Sequence, residues 1–139
     1  MMMRRFFSPG PFWQTAGLTL VRWALGLFLI YHGWEIFSET KINEYLQWDA
    51  FKNSSGKPLV YAGKAGELIA GILFVLGLFT RVASLLTIGV MCYIAFLLGK
   101  GIIWYDDQHP FLFVLLALVF FFTGPGNLSL DKFIFNNKR

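Results

Sequence analysis

The chain has 139 residues, of which 56% are hydrophobic and 14% charged, and its formal net charge is +4. A soluble domain carries about 25% charged residues, so this composition excludes an ordinary soluble domain and predicts extensive contact with lipid. Basic residues near the two ends suit anionic lipid headgroups: Arg4, Arg5, Lys132, Lys138 and Arg139. No basic stripe crosses a polar surface, and we therefore expect no nucleic-acid partner.

Four apolar segments predict membrane-spanning helices, at about residues 16–37, 59–79, 82–98 and 110–123. The fourth is short for a hydrocarbon core that needs about 20 residues. Pro110 suits a first helical turn, and Gly124, Pro125 and Gly126 predict a firm helix end. Ser129 is expected to cap a short amphipathic helix on the membrane surface. The predicted fold is an all-α membrane protein, a four-transmembrane-helix bundle forming a single domain over residues 1–139.

The distribution of Lys and Arg predicts the orientation. Basic residues near both termini, together with Arg81 in the short turn after the second segment, predict that both termini are cytoplasmic. The segments 38–58 and 99–109 then lie outside, with Tyr45, Trp48 and Phe51 expected along the membrane interface. The first apolar segment lacks an A-x-A-like cleavage site, and we expect it to stay as an uncleaved first helix.

Small and ionisable residues mark the faces of the first two segments. Gly26 and Gly33 lie a heptad apart, and Ala62, Gly66 and Ala70 repeat every four residues, as close helix packing in lipid requires. Two ionisable pairs are each spaced i,i+3 and so share a helix face: His32 with Glu35, and Lys64 with Glu67. Ionisable groups at membrane depth normally face a bundle interior or a wet cavity, which makes these pairs candidate functional residues.

When the depth of each charged residue in the membrane is estimated from the helical rise, the charges alternate in sign. From the cytoplasmic edge, Arg22 lies about 9 Å deep, Glu67 about 16 Å, Lys64 about 21 Å and Glu35 about 28 Å. One interpretation is a structural network in a non-catalytic membrane partner or scaffold, with an Arg22–Glu67 ion pair. The other is a polar pocket between helices 1 and 2 that binds a small polar or quinone-like headgroup, with His32 relaying protons.

Other chemistry is less well supported by the residues. A Glu-x-x-His metal site needs ligands from several helices, and here Lys64 stands where a second His would be needed, so no metal is expected. Cys92, the single cysteine, predicts neither a disulfide nor a CxxC pair. His109, with its acidic neighbours, is expected to lie in a solvated loop. A transporter would need inverted repeats or broken helices, which are not evident in the sequence.

The chain resembles the DoxX family of small four-helix membrane proteins. The resemblance lies in LVRWALGLFLIYHGWEIF, GKAGELIAGILFVLGLFTRVASLL and the tail HPFLFVLLALVFFFTGPGNLSLD. It covers nearly the whole chain after the first dozen residues, and its family-typical polar positions correspond to Arg22, Gly33, Glu67, Arg81 and Asp131.

The resemblance implies a bacterial cytoplasmic-membrane protein linked to thiosulfate–quinone oxidoreduction or to membrane oxidoreductase complexes of redox stress. It therefore implies quinone as a possible cofactor and a redox protein as a possible partner, besides lipid. The wider superfamily includes thiol-dependent quinone reductases, a chemistry that the lone Cys92 disfavours. Whether the protein is an enzyme, and what its substrate and oligomeric state are, stays open at this point.

Overall fold

A computed structural model describes Met3 and residues 6–136 of the chain. Arg4, Arg5, Lys138 and Arg139, on which part of the orientation prediction depends, lie outside the described residues.

From Gln14 onward the described chain folds into six α-helices and contains no β-strand. They are α1 (Gln14–Gly33), α2 (Glu39–Leu46), α3 (Gly56–Leu76), α4 (Thr80–Cys92), α5 (Gln108–Thr123) and α6 (Leu130–Asn136). A 3-10 turn, Trp34–Phe37, extends α1, and a π-helix, Tyr93–Leu98, extends α4. The predicted all-helical fold is confirmed.

Three of the helical segments are long and apolar enough to cross a membrane, namely Gln14–Phe37, Gly56–Leu76 and Thr80–Leu98. Helix α5 is apolar but has only 16 residues, which corresponds to about 24 Å of helix. Large apolar side chains stay exposed along all of these segments, for example Leu27, Phe28 and Val82. Exposed apolar surface on this scale needs a lipid environment rather than water.

The helices pack in the order α1, α3, α4 and α5, with the most extensive contacts between α1 and α3 and between α4 and α5. Leu29, Phe74, Ala117 and Phe120 are completely buried in the main apolar core. The rings of Phe74 and Phe120 meet with centroids 5.8 Å apart, in an edge-to-face arrangement that aromatic pairs favour. The core therefore joins α3 to α5 near one end of the bundle.

Glycines allow α1 and α3 to approach closely. A Cβ atom added at Gly33 would lie 2.3 Å from the Leu68 backbone nitrogen, and one at Gly26 would lie 2.8 Å from the Gly71 carbonyl oxygen. Backbone atoms cannot move away as a flexible side chain can, so even a methyl group would separate the helices. The interface between α1 and α3 is consequently closed along much of its length.

The Gly33→Ala variant is expected to lower the apparent melting temperature in detergent markedly, because its methyl group meets the backbone of α3. Gly63→Ala is the matched control: it lies on α3 with no atom within 4 Å of an added Cβ, and there we expect no loss. Thermal unfolding of both variants measures the difference. Equal melting temperatures would contradict the close approach.

The segment between α1 and α3 folds back over the end of the bundle. Ser38 Oγ accepts a hydrogen bond from the Lys41 backbone N–H and so caps α2. Ile42, Phe51 and Val60 are buried together in a second apolar cluster. Tyr45 and Phe51 therefore turn inward rather than lying along the membrane interface as the sequence predicts, whereas Trp48 stays 50% exposed.

Candidate functional site

Three ionisable side chains, one from the 3-10 turn after α1 and two from α3, form a compact network. Lys64 Nζ lies 2.9 Å from Glu35 Oε2 and 3.1 Å from Glu67 Oε2. The exposed fractions of the side chains are 11% for Lys64, 21% for Glu35 and 4% for Glu67. Charges with so little access to solvent are tolerated only when paired and hydrogen-bonded, as these are.

Tyr45, which sequence reasoning placed elsewhere, completes this network. Its hydroxyl donates a 2.6 Å hydrogen bond to Glu35 Oε2, and Lys64 Nζ lies 4.7 Å from the centroid of its ring. Burial, and then the hydrogen bond to Glu35, raise the pKa of the Tyr45 hydroxyl above its ordinary value. The inward position of Tyr45 could have been predicted from its i,i+3 spacing from Ile42, which places both residues on the same face of α2.

Two histidines meet beside the network. The rings of His32 on α1 and His109 on α5 have centroids 5.7 Å apart, and the His109 ring contacts Phe113 at 5.2 Å. His109 lies in the first turn of α5 rather than in a loop, although its side chain remains exposed as expected. The exposed His109 thus connects the protein surface to the half-buried His32.

An apolar cavity of about 500 Å³ adjoins these polar groups. The residues that contribute polar side-chain groups to its lining are His32, Tyr45, Lys64, Glu67, Tyr93 and His109. Apolar side chains of α3, α4, the π-helix and the α1–α3 connection form the remaining wall, among them Leu59, Leu86, Val90, Ile94, Trp48 and Phe51.

The position of the cavity corrects the expectation of a pocket between the first and second helices, which are α1 and α3. The cavity lies on the side of α3 that faces α4, beneath the inward residues of the α1–α3 connection. The reason is steric, since Gly26, Gly33 and Gly71 bring α1 and α3 into backbone contact and leave no room there. Lys64 and Glu67 lie at the edge of the α1–α3 interface, where Lys64 contacts Glu35 and both side chains also line the cavity.

Arg22 does not belong to the charged network, and the expected Arg22–Glu67 ion pair is absent. Its guanidinium is completely buried and donates to backbone carbonyls: Nη1 to Phe74 at 2.5 Å and to Val75 at 3.2 Å, and Nη2 to Leu128. The last carbonyls of a helix lack intrahelical partners and attract positive charge. Arg22 satisfies these groups at the end of α3, whereas Glu67 pairs with Lys64.

Asp131 holds the same end of the bundle from the other side. Its carboxylate accepts hydrogen bonds from the backbone N–H groups of Phe79, at 2.6 Å, and Thr80, at 2.9 Å, at the start of α4. Its own N–H donates to the Gly77 carbonyl at 2.9 Å. We call Arg22, Leu128 and Asp131, with the turn at residues 77–80, the terminal clamp.

The remaining predicted residues at this end support the terminal clamp. Gly124 and Gly126 have φ values of 76° and 83°, which side chains rarely tolerate, and with Pro125 between them they turn the chain after α5. Ser129 Oγ accepts a 3.2 Å hydrogen bond from the Lys132 N–H, as its predicted role as a helix cap requires. Arg81 Nε donates to the Phe121 carbonyl at 3.2 Å.

The predicted site residues therefore divide between two places. His32, Glu35, Lys64 and Glu67 meet near the cavity, while Arg22, Arg81 and Asp131 bind backbone groups of α3, α4 and α5 at the other end of the bundle. Within the described residues, no three His, Cys, Asp or Glu side chains gather closely enough to hold a metal ion.

An all-helical bundle with long apolar helices and charges paired in its interior defines an integral membrane protein. The sequence model of the DoxX family matches residues 17–100, more than half of the chain. The chain belongs to the DoxX family. It is 30% identical over 125 residues to an uncharacterised protein of Haemophilus influenzae, an alignment that covers 85% of this chain and 90% of that relative. No solved structure matches the chain.

Proposed function

We propose that this protein is the membrane subunit of a redox system and binds a quinone-like ring in the cavity beside Lys64 and Glu67. The observation that carries the proposal is a charged network at one wall of an otherwise apolar cavity of about 500 Å³. Ligand sites of this kind are mostly apolar, about 300–1,000 Å³ in volume, with a few polar groups that fix orientation.

The chemistry of the lining supports a ring with oxygen substituents. Leu86, Val90 and Ile94 offer apolar contact to a ring, while His32 and Glu67 offer hydrogen-bonding groups at one edge. A neutral imidazole carries one donor and one acceptor nitrogen, and its unperturbed pKa is near neutrality. His32, in contact with the exposed His109, is therefore proposed to exchange protons between the cavity and the surface.

We also propose a topology for this subunit. Helix α5 is taken as a fourth span, with its short length made up by the residues that precede it. Both termini and Arg81 then lie in the cytoplasm of a bacterium, and the cavity opens toward the outer half of the inner membrane. Cysteine accessibility at Ser54, in the α1–α3 connection, and at Asn127 tests the two sides, because the proposal places them on opposite faces.

Titration with a short-chain benzoquinone tests the binding proposal through Trp48, which lines the cavity. We expect saturable quenching of tryptophan fluorescence in nanodiscs that is largely lost in Trp48→Phe. Trp34→Phe is the matched control, since Trp34 lies on the 3-10 turn, outside the cavity lining, and its replacement should leave the saturable component intact.

Filling the cavity provides the decisive comparison. Gly89 lines the cavity, and no atom lies within 4 Å of an added Cβ there, so Gly89→Leu should occupy the space without disturbing the fold. We expect this variant to retain its melting temperature and lose the quenching. Quenching that is unsaturable, or that survives in Gly89→Leu, would contradict the proposal and favour a non-catalytic membrane partner.

A further inference from the structure

We infer that the cavity prefers the hydroxyl-bearing form of its ligand, a quinol or phenol, over the carbonyl form. This inference rests on the proposed function, because it concerns the same cavity and the same class of ring. It follows from a count of the hydrogen-bond donors and acceptors that Lys64, Tyr45 and Glu67 present.

The donors of the network are already occupied. An ammonium group has three N–H donors. Lys64 Nζ contacts Glu35 Oε2 at 2.9 Å and Glu67 Oε2 at 3.1 Å, and the face of the Tyr45 ring, 4.7 Å away, takes its remaining side. The single hydroxyl proton of Tyr45 is donated to Glu35. Neither residue has a donor left for a ligand carbonyl.

The acceptors are not all occupied. Among the described residues, Glu67 takes part in one side-chain hydrogen bond, from Lys64 to Oε2, and Oε1 accepts none. In the part of the chain that the structure describes, the buried side-chain atoms without a hydrogen-bond partner are Arg22 Nε and Thr80 Oγ1, so Glu67 Oε1 is not sealed inside the protein. Since Glu67 lines the cavity, this oxygen is available to a group there.

The charge of the network favours the same ligand. Glu35 and Glu67 contribute two negative charges and Lys64 one positive charge, which leaves one negative charge in excess. His32, Tyr93 and His109 also line the cavity, and they can donate hydrogen bonds to either form of the ligand, so they do not discriminate between the two forms. A ligand hydroxyl satisfies the unused carboxylate oxygen through a charge-assisted hydrogen bond, whereas a carbonyl oxygen would face it with no proton between them.

A redox-stable pair of probes tests this preference. para-Nonylphenol and para-nonylanisole share their ring and tail, but in the second the hydroxyl is methylated. Each competes against the short-chain benzoquinone in the Trp48 quenching assay, and its effect on the melting temperature is measured directly. We expect the phenol to displace the quinone at about tenfold lower concentration than the anisole.

Two matched variants locate the group responsible. Glu67→Gln replaces the carboxylate with a weaker neutral acceptor and should reduce the phenol-to-anisole preference to about threefold or less. Glu35→Gln neutralises the other carboxylate of the network, which does not line the cavity; because Glu67 Oε1 stays free, the preference should weaken but remain above about fivefold. The comparison in the unmodified protein stands even if either variant fails to fold.

The outcomes separate this inference from the proposed function. Equal displacement by phenol and anisole, with quinone binding intact, would overturn the inference alone. Stabilisation by the phenol without any quinone effect would sustain the inference and overturn the redox proposal. If neither the phenol nor the quinone binds, both are overturned. Displacement by an alkyltrimethylammonium ion, but not by the phenol, would show that the cavity takes cations instead.

Discussion

Lys64→Met is expected to destabilise the folded protein by about 3 kcal/mol, because it leaves two nearly buried carboxylates without their shared cation. Glu67 is the more severely affected of the two, since its side chain is 4% exposed and its one side-chain hydrogen bond within the described residues comes from Lys64. Glu35 retains the hydroxyl of Tyr45. Unfolding by heat or by sodium dodecyl sulfate in mixed micelles measures the loss.

A partner substitution distinguishes charge pairing from packing. Lys64→Met combined with Glu67→Gln removes the more deeply buried of the two unpaired charges, and we expect it to recover at least half of the lost stability. Lys57→Met is the control on the same helix, because Lys57 is exposed and its replacement should change stability little. If the double variant is no more stable than Lys64→Met, the damage comes from lost packing around the lysine stem and the pairing argument is wrong.

Arg22→Met is expected to cost about 3 kcal/mol, because it removes a buried donor from three backbone carbonyls at once, of which that of Phe74 keeps the Gly77 N–H. Phe74, Val75 and Leu128 supply those carbonyls, and the guanidinium that binds them is completely buried. Loss of the Leu128 contact should also free the tail after α5, so protease cleavage within residues 124–136 should accelerate. Thermal unfolding and limited proteolysis measure the two effects separately.

Arg22→Lys refines the test, since a single ammonium cannot reproduce the planar fork that reaches α3 and Leu128 together. We expect it to recover only part of the stability. Arg81→Met is the matched control: Arg81 is exposed and its side chain makes one hydrogen bond to the described part of the chain, at the Phe121 carbonyl, so its loss should cost less than about 1 kcal/mol. Equal losses in Arg22→Met and Arg81→Met would contradict the terminal clamp.

The helices could be predicted from the sequence because long apolar runs and helix-ending residues are local signals. The predicted segment at 59–79 corresponds to α3 at Gly56–Leu76, and the one at 110–123 to α5 at Gln108–Thr123. Ser129 as a cap was likewise predictable, because capping involves residues three positions apart. Each of these signals depends on neighbours along the chain.

The partner of Arg22 could not be predicted in this way. The charges alternate in sign along Arg22, Glu67, Lys64 and Glu35, which suggested that each charged side chain pairs with another. Backbone carbonyls at a helix end also accept hydrogen bonds from a cation, and a sequence pattern of charged residues does not show them. The structure separates Arg22 from the other three for this reason.

The location of the cavity depends on which neighbour each small residue faces. An added Cβ at Gly71 would meet α1, whereas one at Gly66 would meet Val90 of α4. Both glycines lie on α3 and are indistinguishable in a one-dimensional pattern of small residues. Close packing against α1 and open space beside Gly63 and Gly89 together placed the cavity on the α4 side.

The terminal clamp has a consequence for how the protein is made. Arg22 enters the membrane with the first helix, but the carbonyls it binds belong to Phe74, Val75 and Leu128, and the last of these is synthesised 106 residues later. Helix α1 therefore cannot reach its final state until Leu128 has left the ribosome. A nascent chain stalled before Leu128 therefore carries Arg22 without one of the carbonyls that its guanidinium binds in the folded protein.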